Sequence, residues 1–138
     1  MDAGWDGVPS SVVVDTSVLI ESLTDQRRYR HEFERAIAAG TVLLLPSLVL
    51  YDWLRGPRLP AELAVQEALL PAASAVPFGP TEAAQAAALY ATVPRPRGRE
   101  IDLAIAACAI AWEVPLWTLN SADFADIPGL SLWTPPRA

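Results

Sequence analysis

The sequence contains no lysine: all ten basic residues among its 138 are arginine. That absence removes several α/β enzymes at once. A Walker-type phosphate loop needs Gly-Lys-Ser/Thr, and no such run occurs. Histidine is scarce too. His31 is the single one, so acid–base catalysis built on a histidine pair or a triad has nothing to stand on. In Arg30-His31-Glu32-Phe33-Glu34 it reads as a solvated or packed helix residue. No histidine or cysteine partners are spaced for zinc. The one cysteine, Cys108, cannot form an internal disulfide and reads as an inert core residue, which makes a reducing cytoplasm the expected compartment. No apolar run approaches the roughly 18 residues that span a bilayer, so no membrane association is expected. The opening Met1-Asp2-Ala3-Gly4-Trp5-Asp6 lacks the basic and apolar regions of a signal peptide.

What is present describes one domain with a real core. Hydrophobic residues make up 52% of the chain, enough to argue against disorder. Residues 1–10 read as a short tail and 11–134 as the domain. Residues 11–15 are β-branched and continuously apolar, as a buried parallel strand is. A helix is expected from 16 or 17 to about 23, and another over roughly 26–39, stopped by Gly40. Residues 41–45 form a second expected strand. Pro46 starts a helix ended by Gly56, and a further helix covers about 60–70. Residues 75–78 read as a third strand. Pro80-Thr81-Glu82 opens an alanine-rich helix to about Thr92. Two prolines and a glycine make 94–99 a loop. A helix follows over 99–113, then a fourth strand at 115–118 and a candidate fifth at 130–133. Strands separated by helices predict an α/β domain with a central parallel sheet of four or five strands covered on both faces.

Against this frame, four aspartates stand out: Asp15, Asp52, Asp102 and Asp123. Each falls at or near a helix start, close to strand sequence. In an α/β fold, ligands collect at the carboxyl ends of the strands. Carboxylates gathered there repel one another, and a divalent cation with hard oxygen ligands resolves the repulsion. Each also has a plainer reading. Asp15 could cap the next helix, although Thr16 and Ser17 could do so instead. Asp102 is electrostatically comfortable in a first helical turn without any ligand. Asp52 could be merely exposed beside Trp53, and Asp123 could cap a turn. Asn120 could be a turn residue. Haloacid-dehalogenase phosphatases also begin with an aspartate after an apolar strand, but they need a second one two positions on, where Ser17 stands, and a lysine. Metal-assisted phosphodiester hydrolysis requires neither, nor any side-chain nucleophile.

Net charge is −6, which alone argues against nucleic-acid binding. Bound cations at four of the sixteen acids would offset much of it. Arg95, Arg97 and Arg99 cluster before Asp102 and are candidates for holding a phosphate backbone; the plainer reading is a solvated basic loop. Arg27, Arg28 and Arg30 form a second group. Of five tryptophans, Trp112, Trp117 and Trp133 fall in or beside core elements. Trp5 and Trp53 are less easily placed.

Val14-Asp15-Thr16-Ser17-Val18-Leu19-Ile20 resembles the opening motif of the PIN domain, and especially of VapC toxins of toxin–antitoxin systems. Asp102-Leu103-Ala104-Ile105-Ala106-Ala107-Cys108-Ala109 resembles that family's third-acid helix, and Thr118-Leu119-Asn120-Ser121-Ala122-Asp123-Phe124 its closing motif. The resemblance covers about 11–134. It implies a three-layer α/β/α PIN-like fold with a central parallel sheet, and a Mg²⁺- or Mn²⁺-dependent endoribonuclease that cuts tRNA or rRNA. It implies Asp15 and Asp102 as principal ligands, with Asp123 and Asp52 completing the acidic pocket and Thr16, Ser17, Thr118 and Asn120 in support. Asp52 stands where the family usually has glutamate, so its shorter side chain would reach a metal through water. The resemblance also implies a homodimer and a VapB-like antitoxin lying in an apolar groove; Trp53 and Leu54 are candidates for that groove or for the dimer surface. The competing function is a non-catalytic PIN-like module that binds RNA or protein; such a module has no reason to keep four mutually repelling acids.

Overall fold

The computed structural model describes residues 8–136. Most of the expected tail, with Trp5, lies outside the described residues.

Strand β1 (Ser11–Val14) runs through the middle of a parallel sheet of order β2-β1-β3, between β2 (Val42–Leu44) and β3 (Leu116–Trp117). Val13 of β1 lies opposite both Leu44 and Leu116. Successive strand side chains point to opposite faces, yet Val12, Val13 and Val14 are all 0% exposed. Both faces of the strand are therefore covered, as three α/β/α layers require.

The helices are α1 (Thr16–Leu23), α2 (Arg30–Ala38), α3 (Ser47–Arg55), α4 (Pro60–Leu69), α5 (Pro80–Thr92) and α6 (Glu100–Ala111). Helix α6 packs along α5 and also meets α3 and β1, while α1 packs against α2, α3 and α4. Gly40, at φ +92, takes the left-handed turn that ends the α2 region, a conformation that costs glycine little. Helix α2 starts at Arg30 rather than near 26. The preceding loop has Arg27 in the left-handed region at φ +47, and Asp25 donates its backbone N–H to Glu62 on α4 at 3.2 Å.

Three strands form where four or five are expected. The segments at 75–78 and 130–133 do join the sheet, but each as one bridge: Val76 beside Pro46, and Leu132 beside Leu116. Proline explains the first. Pro46 has no N–H to extend the ladder and α3 begins at the next residue; on the partner segment Pro77 follows Val76. Only Val76 N–H to Leu45 carbonyl and Ser47 N–H to Val76 carbonyl remain, at 2.8 and 2.9 Å. At the other edge, β3 is two residues long, and the partner segment runs into Pro135 and Pro136.

Trp117 is fully buried, with Phe33 at 6.1 Å and Trp133 edge-on at 5.6 Å. Trp53 is also 0% exposed. Its carbonyl accepts from Arg58 Nε at 2.9 Å, and the Arg58 guanidinium covers its ring at 4.2 Å. The expectation that Trp53 lines a surface groove is therefore corrected: its side of α3 faces the core, while its neighbour Leu54 is 49% exposed. No helix among the described residues is long and apolar enough to cross a membrane.

Candidate active site

Asp15 occupies the step from β1 to α1. It holds the N-cap position, but its side chain makes no capping hydrogen bond. Its Oδ2 instead accepts from Ser17 Oγ at 2.9 Å and from Thr118 Oγ1 at 2.7 Å. Among the described residues no hydrogen bond reaches Oδ1. The residue is 4% exposed, and these bonds fix the direction of its carboxylate.

The two hydroxyls also join β1 to the loop after β3. Ser17 Oγ accepts the Leu119 N–H at 3.1 Å, and Thr118 Oγ1 accepts the Asn120 N–H at 3.0 Å. Each hydroxyl donates to Asp15 and accepts from the loop, so its proton direction is determined. Thr16 is buried, but its hydroxyl has no hydrogen-bond partner. Asn120 contributes its backbone to this network.

Asp102 lies half-buried in the first turn of α6. Burial raises its carboxyl from the ordinary 3.8 to about 6, with further increments from Asp15, Asp123 and Asp52 and partial relief from Arg99. The other three aspartates singled out in the sequence thus all act electrostatically on Asp102. The sign of the consequence is definite. Between pH 3.8 and about 6 the folded chain keeps a proton that the unfolded chain has lost. The stability this group supplies below that window disappears as pH rises through about 6. Because the carboxyl is partly solvated, the effect is discounted to about 1 kcal/mol. Asp102→Asn should therefore stabilise the cation-free protein by about 1 kcal/mol near neutral pH and flatten the profile between about pH 4 and 7. Urea unfolding in chelator across that range measures it, and an unchanged profile would refute the assignment.

Asp52, on α3, is partly buried and paired with Arg55 at 2.6 Å. Asp123 ends the 3₁₀ turn Ser121–Asp123 and is exposed. Its backbone carbonyl is held by Arg99 Nη2 at 3.0 Å.

Arg99 departs from its expected role. Its fork grips both Asp126 oxygens at 3.0 and 2.6 Å and also donates to the Pro94 carbonyl at 3.0 Å. That pair keeps the Asp126 carboxyl below its usual range. Arg99 is thus a brace between the start of α6 and the Asp123 turn. Arg95 and Arg97 are exposed, and Arg95 lines a cleft of about 450 Å³ with Asp123 and Asp126. Sequence reading missed Asp126. Its only local signal is an acid three residues after Asp123, and the arginine it complements is 27 positions away. Burial pushes the Cys108 thiol up to about 12, consistent with an inert core residue.

The donor set is hard oxygen throughout, on mutually repelling carboxylates, and Asp15 keeps one oxygen unbonded. In chemistry this fits a hard divalent cation. No three acid, histidine or cysteine side chains among the described residues stand at the spacing of a preformed metal cage.

Comparison with known proteins agrees with this geometry. No curated protein matches the chain. Among solved structures it is similar to VapBC2 from Rickettsia felis, bound to a DNA fragment from its promoter: TM-score 0.68 and 18% identity, over 90% of this chain and 99% of that one. It is also similar to FitAcB from Neisseria gonorrhoeae: TM-score 0.64 and 20% identity, over 90% and 97% of the two chains. Likenesses at these identities speak for the fold. The PIN domain family pattern matches residues 12–130, which takes in Asp15, Asp52, Asp102 and Asp123. With that match spanning most of its length, the chain belongs to the PIN domain family.

Proposed function

We propose that this chain is a metal-dependent endoribonuclease, the VapC-like toxin of a toxin–antitoxin pair, acting on tRNA or rRNA in the cytoplasm. The observation that carries the reading is Asp102: a half-buried carboxyl raised to about 6 by burial and by three other aspartates. PIN domains are generally nucleases that use divalent metals, and the fold's solved relatives include the VapBC2 and FitAcB structures.

In this reading Asp15, Asp102 and Asp123 would hold Mg²⁺, or Mn²⁺ in its place, and Asp52 would complete the acidic pocket. Such an ion would supply an acidified water and neutralise charge on the phosphate. The chain's own residues do the positioning. Ser17 and Thr118 fix Asp15 through Oδ2. Arg99 and Asp126 fix the turn that carries Asp123. Arg95 and Arg97 hold the RNA backbone beside the site. Replacing both with alanine should lower the salt dependence of single-stranded RNA binding, with the log–log slope falling by about 1.4 for two lost contacts. An unchanged slope would remove them from the interface.

The antitoxin is proposed to lie over the exposed apolar side chains of α3 and of the residue before α4: Tyr51, Leu54 and Leu59 are 56%, 49% and 53% exposed. A second copy of the chain is the competing occupant.

Mapping new RNA 5′ ends in cells induced to make the protein, against cells making Asp15→Asn, tests the function. Discrete new ends with growth arrest in the wild type alone are expected. Matching RNA maps from both soluble proteins, in two hosts, would overturn it.

A further inference from the structure

Beside the acidic site, on the α1 side, lies a cleft of about 370 Å³ whose walls include Ser17, Glu21, Arg28, Tyr29 and Asn120. Ser17 and Asn120 already belong to the network around Asp15, so the cleft and the acidic site share a wall. Glu21 follows Ser17 by four residues on α1, which puts it on the same helix face, about 6 Å along the axis.

Glu21 is incompletely satisfied. Its Oε2 is buried and has no hydrogen-bond partner. The nearest cation is Arg28, whose Nε stands 3.7 Å away, within ion-pair range but beyond hydrogen-bond range. A buried acceptor in that condition calls for a ligand or another explanation. Loose local structure does not supply one, because the opposite wall is tied down. The Tyr29 N–H donates to the Glu21 carbonyl at 3.0 Å, and Arg30 Nε to the Ser22 carbonyl at 2.8 Å. Arg28 is the solvent-facing part: its side chain is 67% exposed.

We propose that this cleft receives a guanine base of single-stranded RNA, next to the phosphate that the acidic site addresses. The proposal rests on the nuclease reading above. Guanine puts two donors, N1–H and the N2 amino group, side by side on its Watson–Crick edge, matching the two oxygens of one carboxylate. Its O6 and N7 are both acceptors and suit an arginine fork. Glu21 provides the acceptor and Arg28 the donor, with Arg28 swinging from Glu21 onto the base. Tyr29 adds an aromatic wall of the kind that unstacked RNA bases use. The other bases fit less well. Adenine, cytosine and uracil each offer a single donor group on that edge, beside an acceptor that faces the carboxylate unfavourably.

The test separates binding from cleavage. Isotope-labelled wild-type protein without divalent ion is titrated with short single-stranded RNAs that carry guanine, inosine or adenine at one position. Guanine should shift the amide signals of Glu21, Arg28, Tyr29 and Asn120. Affinity should fall roughly 5- to 150-fold when inosine removes the N2 amino group, or when Glu21→Gln removes the charge. Equal affinity for the three RNAs, or shifts confined to other surfaces, overturns the proposal. Cleavage of a random RNA library then distinguishes the two failures. RNA cut by wild type with no guanine preference, or with one that Glu21→Gln leaves intact, refutes the cleft and leaves the nuclease reading standing. Guanine-selective binding without cleavage above the Asp15→Asn level supports the cleft and refutes the nuclease reading.

Discussion

Asp15→Asn should lower metal-dependent RNA cleavage roughly 10³-fold or more, since a metal site supplies several kcal/mol of transition-state stabilisation. Folding should be nearly unaffected. Asparagine has the same shape, and its amide oxygen has two lone pairs. It can keep both donors that now converge on Oδ2, Ser17 at 2.9 Å and Thr118 at 2.7 Å. What disappears is the charge, and with it a ligand for the cation. The substitution should also leave a trace without any metal. After burial, the Asp15 charge does most to push Asp102 up to about 6, so removing that charge should lower the Asp102 carboxyl part of the way toward its ordinary range. Single-turnover cleavage of a labelled RNA in magnesium, with a thermal melt of both proteins, measures the main effect. A rate within about tenfold of wild type at equal melting temperature would take Asp15 out of the machinery.

Trp53→Ala should lower stability by about 3–5 kcal/mol, the usual cost of emptying a core site that held a large aromatic. For a chain of this length that corresponds to a melting temperature lower by roughly 10 °C or more. The side chain is 0% exposed, and the Arg58 guanidinium at 4.2 Å loses its ring face. The indole N–H of Trp53 has no hydrogen-bond partner, so Trp53→Phe should cost much less than alanine: it keeps an aromatic filling and removes an unsatisfied donor. Leu54→Glu should behave in the opposite way. Its side chain is half in solvent, so the melt should stay within about 1 kcal/mol of wild type while association through the exposed side of α3 weakens. Urea melts with size analysis and antitoxin titration separate the two cases. A Trp53→Ala protein that melts with the wild type would refute a packing role for this side chain.

The contrast between these neighbours marks the border between local and tertiary information. The Val12–Val14 run, Asp15 at its end and Asp102 in a first helical turn were legible because they rest on continuous burial and helix boundaries, which are local signals. Helices α1, α3, α4 and α5 fall close to their expected bounds for the same reason, with Pro60 and Pro80 starting two of them. The extra strands failed locally as well as globally: 75–78 and 130–133 have strand composition, but prolines at 46 and 77 and a two-residue β3 leave each with one bridge.

By itself, then, the sequence determined the class of fold and the order of its elements and singled out four acids as candidates, because periodicity and helix-ending residues act within a few positions. Only the tertiary structure decided what those acids touch. Thr118 reaches Asp15 across 103 positions, and Arg99 reaches Asp126 across 27. No local propensity encodes such partners, because sheet order and helix packing bring them together. The same packing decided that Trp53 faces inward and Leu54 outward, since adjacent residues on a helix point about 100° apart and only the neighbouring layers define which direction is the core.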